Sequence, residues 1–284
     1  MSPAIMTRSG GMLLILLLLA APACEAQKHA KPGGYDLDRN PHVMKLGKRL
    51  REISGLAVDA RGRLFAHNDE RGVIYRLDPM TGSVLSHFIL GRTVVTKDFE
   101  GLAIAGDYFY MVTSAGSIYM FREGSDGGRV EYRVFRTSLG PRNDVEGLCY
   151  DPATEALLLA CKGDPGKGYK GKRAVYSFDL GRKKLSPKPR FLLDEKNLLK
   201  KARGKEVRPS AIERHPKTGN FFVLAAQGET LIELSPEGKI VSQGKLEKKR
   251  HGQPEGLTFL PDGAMLISDE GKKHGTLTRY RRPR

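Results

Sequence analysis

Short runs of apolar and β-branched residues, separated by polar turns, fill most of this chain of 284 residues. In its first complete stretch the apolar runs cover residues 54–59, 64–68, 73–77 and 84–90. Arg61-Gly62 and residues 78–82 supply the turns, and none of the runs has the spacing of an amphipathic helix. The pattern therefore predicts four short antiparallel strands.

A short phrase begins the first run and returns along the chain. The five copies are Ser54-Gly55-Leu56, Glu100-Gly101-Leu102, Glu146-Gly147-Leu148, Ser210-Ala211-Ile212 and Glu255-Gly256-Leu257. Three of the four intervals are roughly 46 residues, the length of a four-stranded propeller blade, and the third is longer. We therefore predict one blade for each copy of the phrase.

The last copy is followed by only three apolar runs, at residues 255–259, 264–268 and 276–280. Residues 42–48 resemble the outermost runs of the other repeats, and pairing them with the last blade would hide two sheet edges. We predict an all-β fold, a β-propeller of five four-stranded blades over residues 42–284, closed by this N-terminal strand. A degenerate blade at residues 190–208 would make it six-bladed.

The N-terminus has the features of a signal peptide over residues 1–23. Arg8 precedes an apolar run at 12–21, and small residues end at Ala23; the run is too short to span a bilayer. The chain is therefore expected to be exported, to the periplasm or to a membrane anchor. Cys24 is either a lipidation site or a residue beside ordinary cleavage after Ala23 or Ala26. Residues 24–41 are predicted to be a polar tether.

The chain carries a formal net charge of +16. Its basic clusters lie at residues 182–184, 196–205, 248–250 and 279–284. Export and the lack of a nucleic-acid-binding motif argue against a nucleic-acid partner. The clusters are either solvated faces or a contact with an anionic membrane surface, and the protein is expected to be a monomer. Cys149 and Cys161 are predicted to be buried thiols, because their register keeps them about three residue pairs apart.

The first residues of the repeated phrase are the candidate site. Ser54, Glu100, Glu146, Ser210 and Glu255 begin the innermost strands and should converge on the central channel. Strand pairing should bring a second polar set beside them, namely Asn68, Ser114, Lys162, Gln227 and Asp269. Irregular loops on the same face of the propeller add Asp98, Asp144 and His251, and binding sites concentrate on such loops. Ser54, Asp98, Asp144, Ser210 and His251 are therefore predicted ligand contacts.

Three carboxylates in one channel repel each other unless something neutralises them. A hard cation, most plausibly Ca²⁺, is one solution, with Glu100, Glu146 and Glu255 as ligands and Asn68, Asp69 or Asp269 completing the shell. Protonated carboxyls, or a counter-charge from Lys162 or Arg142, are another. In a third reading, each glutamate caps backbone N–H groups of the neighbouring blade. His67, His251 and His274 are candidate acid–base groups or ordinary polar loop residues, and His215 is structural.

Longer phrases resemble a known family. The residues that carry this resemblance are Tyr35-Asp36-Leu37-Asp38, Asp98-Phe99-Glu100-Gly101-Leu102, Val145-Glu146-Gly147-Leu148-Cys149, Gln253-Pro254-Glu255-Gly256-Leu257 and Ile267-Ser268-Asp269-Glu270-Gly271. They resemble the SdiA-regulated (YjiK-like) family over nearly all of the mature chain. The resemblance implies an exported or membrane-anchored β-propeller, often a lipoprotein, and no established reaction. A looser likeness to phytase-like esterase propellers implies a calcium-assisted hydrolase.

These expectations lead to two candidate functions. In the first, the protein is a cell-envelope ligand-binding, metal-binding or interaction protein that uses the carboxylates at the channel mouth. In the alternative, it is a Ca²⁺-dependent hydrolase, with His67 or His251 moving protons. The sequence names neither the ligand nor a partner.

Overall fold

The computed structural model describes Met1, residues 31–199, Ala202 and residues 206–282. Apart from Met1, the predicted signal peptide lies outside the described residues. So do the proposed lipidation site Cys24 and the first part of the predicted tether.

The described residues form twenty-two strands and a single turn of α-helix. The first eleven strands are β1 (His42–Lys45), β2 (Ile53–Val58), β3 (Leu64–Asn68), β4 (Val73–Leu77), β5 (Val84–Leu90), β6 (Phe99–Ala105), β7 (Tyr108–Thr113), β8 (Ser117–Arg122), β9 (Arg129–Val130), β10 (Tyr132–Arg136) and β11 (Val145–Asp151). The others are β12 (Ala156–Cys161), β13 (Lys172–Asp179), β14 (Lys184–Leu185), β15 (Phe191–Asp194), β16 (Ala211–Arg214), β17 (Phe221–Ala225), β18 (Thr230–Leu234), β19 (Ile240–Lys245), β20 (Pro254–Phe259), β21 (Met265–Asp269) and β22 (Thr276–Tyr280). The helix, α1 (Glu195–Leu199), follows β15.

These strands form five sheets, which are the five blades of a β-propeller. Blade one contains β2 to β5, blade two β6, β7, β8 and β10, blade three β11 to β15, and blade four β16 to β19. Blade five contains β20 to β22 and takes β1 as its outermost strand, with Met44 opposite Leu277. The predicted closure by the N-terminal strand is therefore confirmed.

Two blades depart from the four-strand plan. In blade three the outer edge is divided between β14 and β15, which both pair with β13. In blade one, β9 adds a fifth, parallel strand to β5. Because β15 belongs to blade three and leads into α1, the described residues between 190 and 208 form no further blade, and the six-bladed alternative is wrong.

The hydrophobic core is divided into five layers, one between each pair of neighbouring blades. The layer between blades one and two shows the principle: Phe65 of blade one meets Phe109 of blade two edge to face, with ring centroids 4.9 Å apart. Since each strand of a blade contributes alternate side chains to two layers, every blade is held on both faces. Cys149 and Cys161 are free and buried in such layers, as predicted, with Cys149 opposite Leu158.

The glycines of the repeated phrase allow the innermost strands to touch. A Cβ on Gly101 would lie 2.7 Å from the backbone nitrogen of Leu148 in the next blade, and a Cβ on Gly147 would lie 2.7 Å from that of Ile212. Any larger residue would therefore force neighbouring blades apart at the axis.

The described part of the predicted tether is packed against the propeller. Tyr35 is fully buried, and its hydroxyl donates a hydrogen bond to the carbonyl of Gly263 at 2.7 Å. The backbone N–H of Gly33 donates to Glu233, and Arg250 donates to the carbonyl of Leu37. Residues 31–37 thus bind across blades four and five. No helix in the described part of the chain has the length and apolar character that a membrane crossing requires.

Candidate functional site at the channel mouth

Each of the three glutamates lies at a β-bulge in its innermost strand. Phe99 pairs with Thr113 and Gly101 with Val112, so Glu100 is the extra residue between them. The register shifts in the same way around Glu146 and around Glu255. A bulge turns a side chain away from the ordinary alternation of the strand. The three carboxylates consequently line one small gap on the propeller axis.

Backbone hydrogen bonds join the loops around this gap. Asp69 of blade one accepts from the N–H of Phe99 in blade two at 2.7 Å, and Ser114 of blade two accepts from Val145 of blade three at 2.9 Å. Arg51 accepts from Gly271 of blade five at 3.0 Å. These bonds hold the loops around the gap at fixed positions. We call the gap and these surrounding loops the channel mouth.

Burial and mutual repulsion keep the three carboxyls from ionising easily. Burial, with the nearby Glu146, Asp98 and Glu255, raises the pKa of Glu100 from 4.5 to about 9. Burial and Glu146 raise the pKa of Glu255 to about 8. Among the described residues, the Glu100 carboxyl has no hydrogen-bond partner. At neutral pH both carboxyls therefore favour the protonated form.

The sequence offered Lys162 and Arg142 as alternative counter-charges, and in the structure Lys162 has this role. Its Nζ donates to Oε1 of Glu146 at 2.7 Å. Burial still raises the pKa of Glu146, although the Lys162 ammonium opposes the increase. Arg142, by contrast, is exposed on the adjoining loop. The three carboxyls that line the gap thus have one ammonium beside them.

The channel below the carboxylates is closed, and space opens beside them. The gap that they line has a volume of about 10 Å³, room for about one water molecule. A groove of about 660 Å³ lies on the same face, lined by Asp69, Glu70, Arg71, Thr96, Lys97 and Asp98. Asp98 belongs to this groove and also raises the pKa of Glu100. A ligand could therefore occupy the groove and present one group to the glutamates.

Two predicted metal ligands have partners of their own. Asn68 accepts a hydrogen bond from the backbone of Arg71 through Oδ1 at 3.2 Å. Asp269 accepts from Nδ1 of His251 through Oδ2 at 2.8 Å. In the described part of the chain, no group of three or more His, Cys, Asp or Glu side chains has an arrangement that could hold a metal ion. The structure thus groups Glu100, Glu146 and Glu255, and leaves Asn68 and Asp269 outside the group.

Four of the five predicted ligand contacts divide into two classes. Ser54 donates to the carbonyl of Glu100 and Ser210 to the carbonyl of Pro254, each at 2.7 Å, so both serines join neighbouring blades. Asp98 and Asp144 stay at the mouth, where they act electrostatically on the glutamates. Asp144 also has a left-handed backbone with φ of 51°, and unusual backbone of this kind is frequent at binding sites.

His67 is a structural histidine. It is fully buried, its Nε2 accepts from the N–H of Gly55 at 3.1 Å, and its Nδ1 donates to the carbonyl of Asn68 at 2.8 Å. Burial lowers the pKa of His67 from 6.5 to about 4. His67 is thus held neutral, with both ring nitrogens occupied.

His251 belongs to a buried group behind the mouth that sequence reasoning missed. Besides the bond to Asp269, its Nε2 lies 2.7 Å from the hydroxyl of Tyr280. Asp269, His251 and Tyr280 are each at most 3% exposed. His215, predicted to be structural, lies in a hairpin, with Nε2 3.2 Å from the hydroxyl of Tyr35.

Solved structures with a related fold include enzymes and other proteins. Glutaminyl cyclase from Myxococcus xanthus superposes with a TM-score of 0.58 and 16% identity, over 84% of this chain and 94% of that chain. A putative oxidoreductase (glucose dehydrogenase) from Thermus thermophilus gives 0.49 and 13% identity, over 85% and 100% of the two chains. Virginiamycin B lyase from Staphylococcus aureus gives 0.43 and 12%, over 86% and 75%. At these identities the likeness concerns the fold alone.

The fold and the repeated inner strands define a five-bladed β-propeller with a carboxylate-lined mouth. The model of the SdiA-regulated family matches residues 44–272, and this chain belongs to that family. Comparison with curated proteins finds no match.

Proposed function

We propose that this protein is a binding protein of the cell envelope. Its channel mouth would hold the cationic group of a ligand between Glu100, Glu146 and Glu255. One observation carries the proposal: three bulges direct three buried carboxyls to one gap, which contains a single ammonium group. A bound cation would favour the ionised forms of Glu100 and Glu255, which burial and mutual repulsion otherwise keep protonated, and would balance the charge of their carboxylates.

The ligand's cation would be an organic ammonium or Ca²⁺. The groove beside Asp98 has room for the rest of an organic ligand, and an ammonium needs only hydrogen-bond acceptors around it. Ca²⁺ requires six to eight oxygen ligands, so its binding would require Asp98, Asp144 or waters to approach the glutamates. For this reason we favour the ammonium and keep Ca²⁺ as the second arm of the test.

Hydrolysis receives less support than binding. The hydrolase hypothesis assigned proton transfer to His67 or His251, and both rings are buried with both nitrogens engaged. A base that must accept a proton from a substrate needs a nitrogen within reach of that substrate. A binding function makes no such demand.

Thermal unfolding of the full chain tests the proposal. After treatment with EDTA, the midpoint is measured with n-butylammonium chloride, with CaCl₂ and with NaCl at the same ionic strength. A ligand of the folded state present at 100 times its Kd adds about 2.7 kcal/mol to the free energy of unfolding, so a rise of several degrees is expected.

Two variants give the test its specificity. Glu146→Gln should abolish the rise, whereas Glu131→Gln, an exposed change between β9 and β10, should retain it. A rise with the amine alone identifies an organic cation, and a rise with CaCl₂ alone identifies a metal. If neither salt exceeds NaCl, the mouth is not a cation site.

Export and lipidation are a separate part of the proposal. They are supported by the signal-peptide pattern of residues 1–23 and by Cys24 directly after it. Labelling of growing cells with radioactive palmitate should mark the wild type and not Cys24→Ala. If neither chain is labelled and both are found in the soluble periplasmic fraction, the protein is exported without an anchor.

A further inference from the structure

The outer seam between blades five and one forms a second, differently charged surface. A groove of about 520 Å³ lies there, between β1 and the hairpin that joins β4 to β5. Its cationic side chains are Lys45, Lys48 and Arg49, and Thr81 and Ser83 contribute hydroxyl groups. No acidic residue lines it. We call this surface the seam groove.

The three cations of the seam groove are uncompensated. Among the described residues, Lys45, Lys48 and Arg49 form no side-chain ion pair or hydrogen bond, and all three are exposed. Two of the basic clusters found in the sequence contain compensated cations, since Lys248 pairs with Glu229 and Arg279 with Asp262. The nearby Asp78 is occupied by backbone N–H groups of its own turn.

Exposed apolar side chains occur in the two segments that form the groove, and one of them, Val84, lines it. Four of the eight exposed large hydrophobic residues among those described occur here: Val43, Met80, Val84 and Leu85. Val43 and Lys45 lie on the same face of β1, because Met44 between them is buried. A bulge in β5, opposite Arg76 and Leu77, leaves Leu85 out of the pairing, and Leu85 is 52% exposed.

We propose that the seam groove docks on an anionic lipid surface. Uncompensated Lys and Arg side chains beside exposed aliphatic side chains match the boundary between headgroups and acyl chains, where lysines reach the phosphates and apolar groups enter the bilayer. A soluble phosphate would use the cations alone and would leave the four apolar side chains without a role. This surface is separate from the channel mouth and does not depend on the function proposed there.

The natural absence of tryptophan provides a direct test. Leu85→Trp places a single fluorophore at the seam groove, and Val241→Trp places one at a similarly exposed position on the outer strand of blade four. With vesicles of phosphatidylcholine and phosphatidylglycerol in equal parts, the emission of Leu85→Trp should shift to the blue and that of Val241→Trp should not. Equal shifts, or none, would overturn the proposal.

Charge removal tests the headgroup contact. In the Leu85→Trp background, the triple change Lys45→Gln, Lys48→Gln and Arg49→Gln should weaken vesicle binding by about tenfold or more, since each cation near an anionic surface adds to the attraction. The control triple, Lys184→Gln, Lys188→Gln and Lys217→Gln, removes the same charge elsewhere and should weaken it clearly less. Equal losses of vesicle binding in the two triple variants would show that only net charge attracts the protein to the vesicles, and would overturn the proposal. Equal binding to pure phosphatidylcholine, or the same blue shift with glycerol phosphate alone, would also overturn the proposal.

Discussion

The glutamates at the channel mouth show how one residue type acquires a role from its backbone. Each precedes a glycine that allows close contact with the next blade, and each is the unpaired residue of a bulge. The repeated phrase predicted which glutamates meet. It could not predict that Asp269 would bond to His251, because that choice depends on a loop whose path the repeat does not specify.

Removing the most perturbed carboxyl should stabilise the ligand-free protein. Between pH 4.5 and about 9 the folded protein holds a proton on Glu100 that the unfolded chain has lost, so the free energy of unfolding falls as pH rises through this window. Glu100→Gln should therefore raise the thermal midpoint at pH 8 by a few degrees, about 1 kcal/mol or more, and flatten its decline with pH. Glu131→Gln serves as the control. A lower midpoint for Glu100→Gln would mean that the carboxylate braces the blades.

His67 should give the opposite dependence on the acid side. Its folded pKa of about 4 lies below the 6.5 of the unfolded chain, so stability is complete above pH 6.5 and is lost as pH falls toward 4. His67→Gln removes this titration, and its midpoint should depend less on pH between 6.5 and 4, although it should be lower overall at neutral pH. If the thermal midpoints of the wild type and His67→Gln change with pH in parallel, the lowered pKa assigned to His67 is wrong.

At the scale of elements, regular strands follow from the pattern of apolar residues, and irregular ones do not. The predicted strands of blade one agree with β2 to β5 within one residue at each end. By contrast, β9 and β14 contain two residues each, too few for an alternation of apolar and polar residues. They are strands only because they pair with β5 and β13. Tyr35 and Leu37 alternate with aspartates, a signal of burial within the predicted tether that the prediction did not use.

The contact between innermost strands leads to a prediction about glycine. Gly147→Ala places a Cβ 2.7 Å from the backbone of Ile212, and backbone cannot move aside as a side chain can. Overpacking of this kind costs about 1–3 kcal/mol, so the midpoint in urea should fall measurably. Gly140→Ala, where an added Cβ meets nothing within 4 Å, should have little effect. Equal midpoints for the two variants would mean that the blades can separate at the axis.

At the scale of the whole molecule, the propeller is closed by its N-terminal strand and charged unevenly. The net charge of +16 coexists with an axial gap where three carboxyls have one ammonium group beside them. The sequence predicted five blades and their closure, since it contains five phrases and lacks one outer strand at its C-terminal end. The seam groove could not be predicted, because it joins β1 to a hairpin that is distant in the chain.

The most direct test of the mouth as a cation site is a calorimetric titration. In it, n-butylammonium is added to the wild type and to Lys162→Met. Lys162 neutralises the Glu146 carboxylate, so its removal should leave that carboxylate for the added cation and strengthen binding by about tenfold, while it lowers the stability of the ligand-free protein. Glu131→Gln should bind as the wild type does. Weaker or absent binding by a folded Lys162→Met protein would show that the mouth recognises its ligand through the Lys162 ammonium group. The account of a cation site would then be wrong.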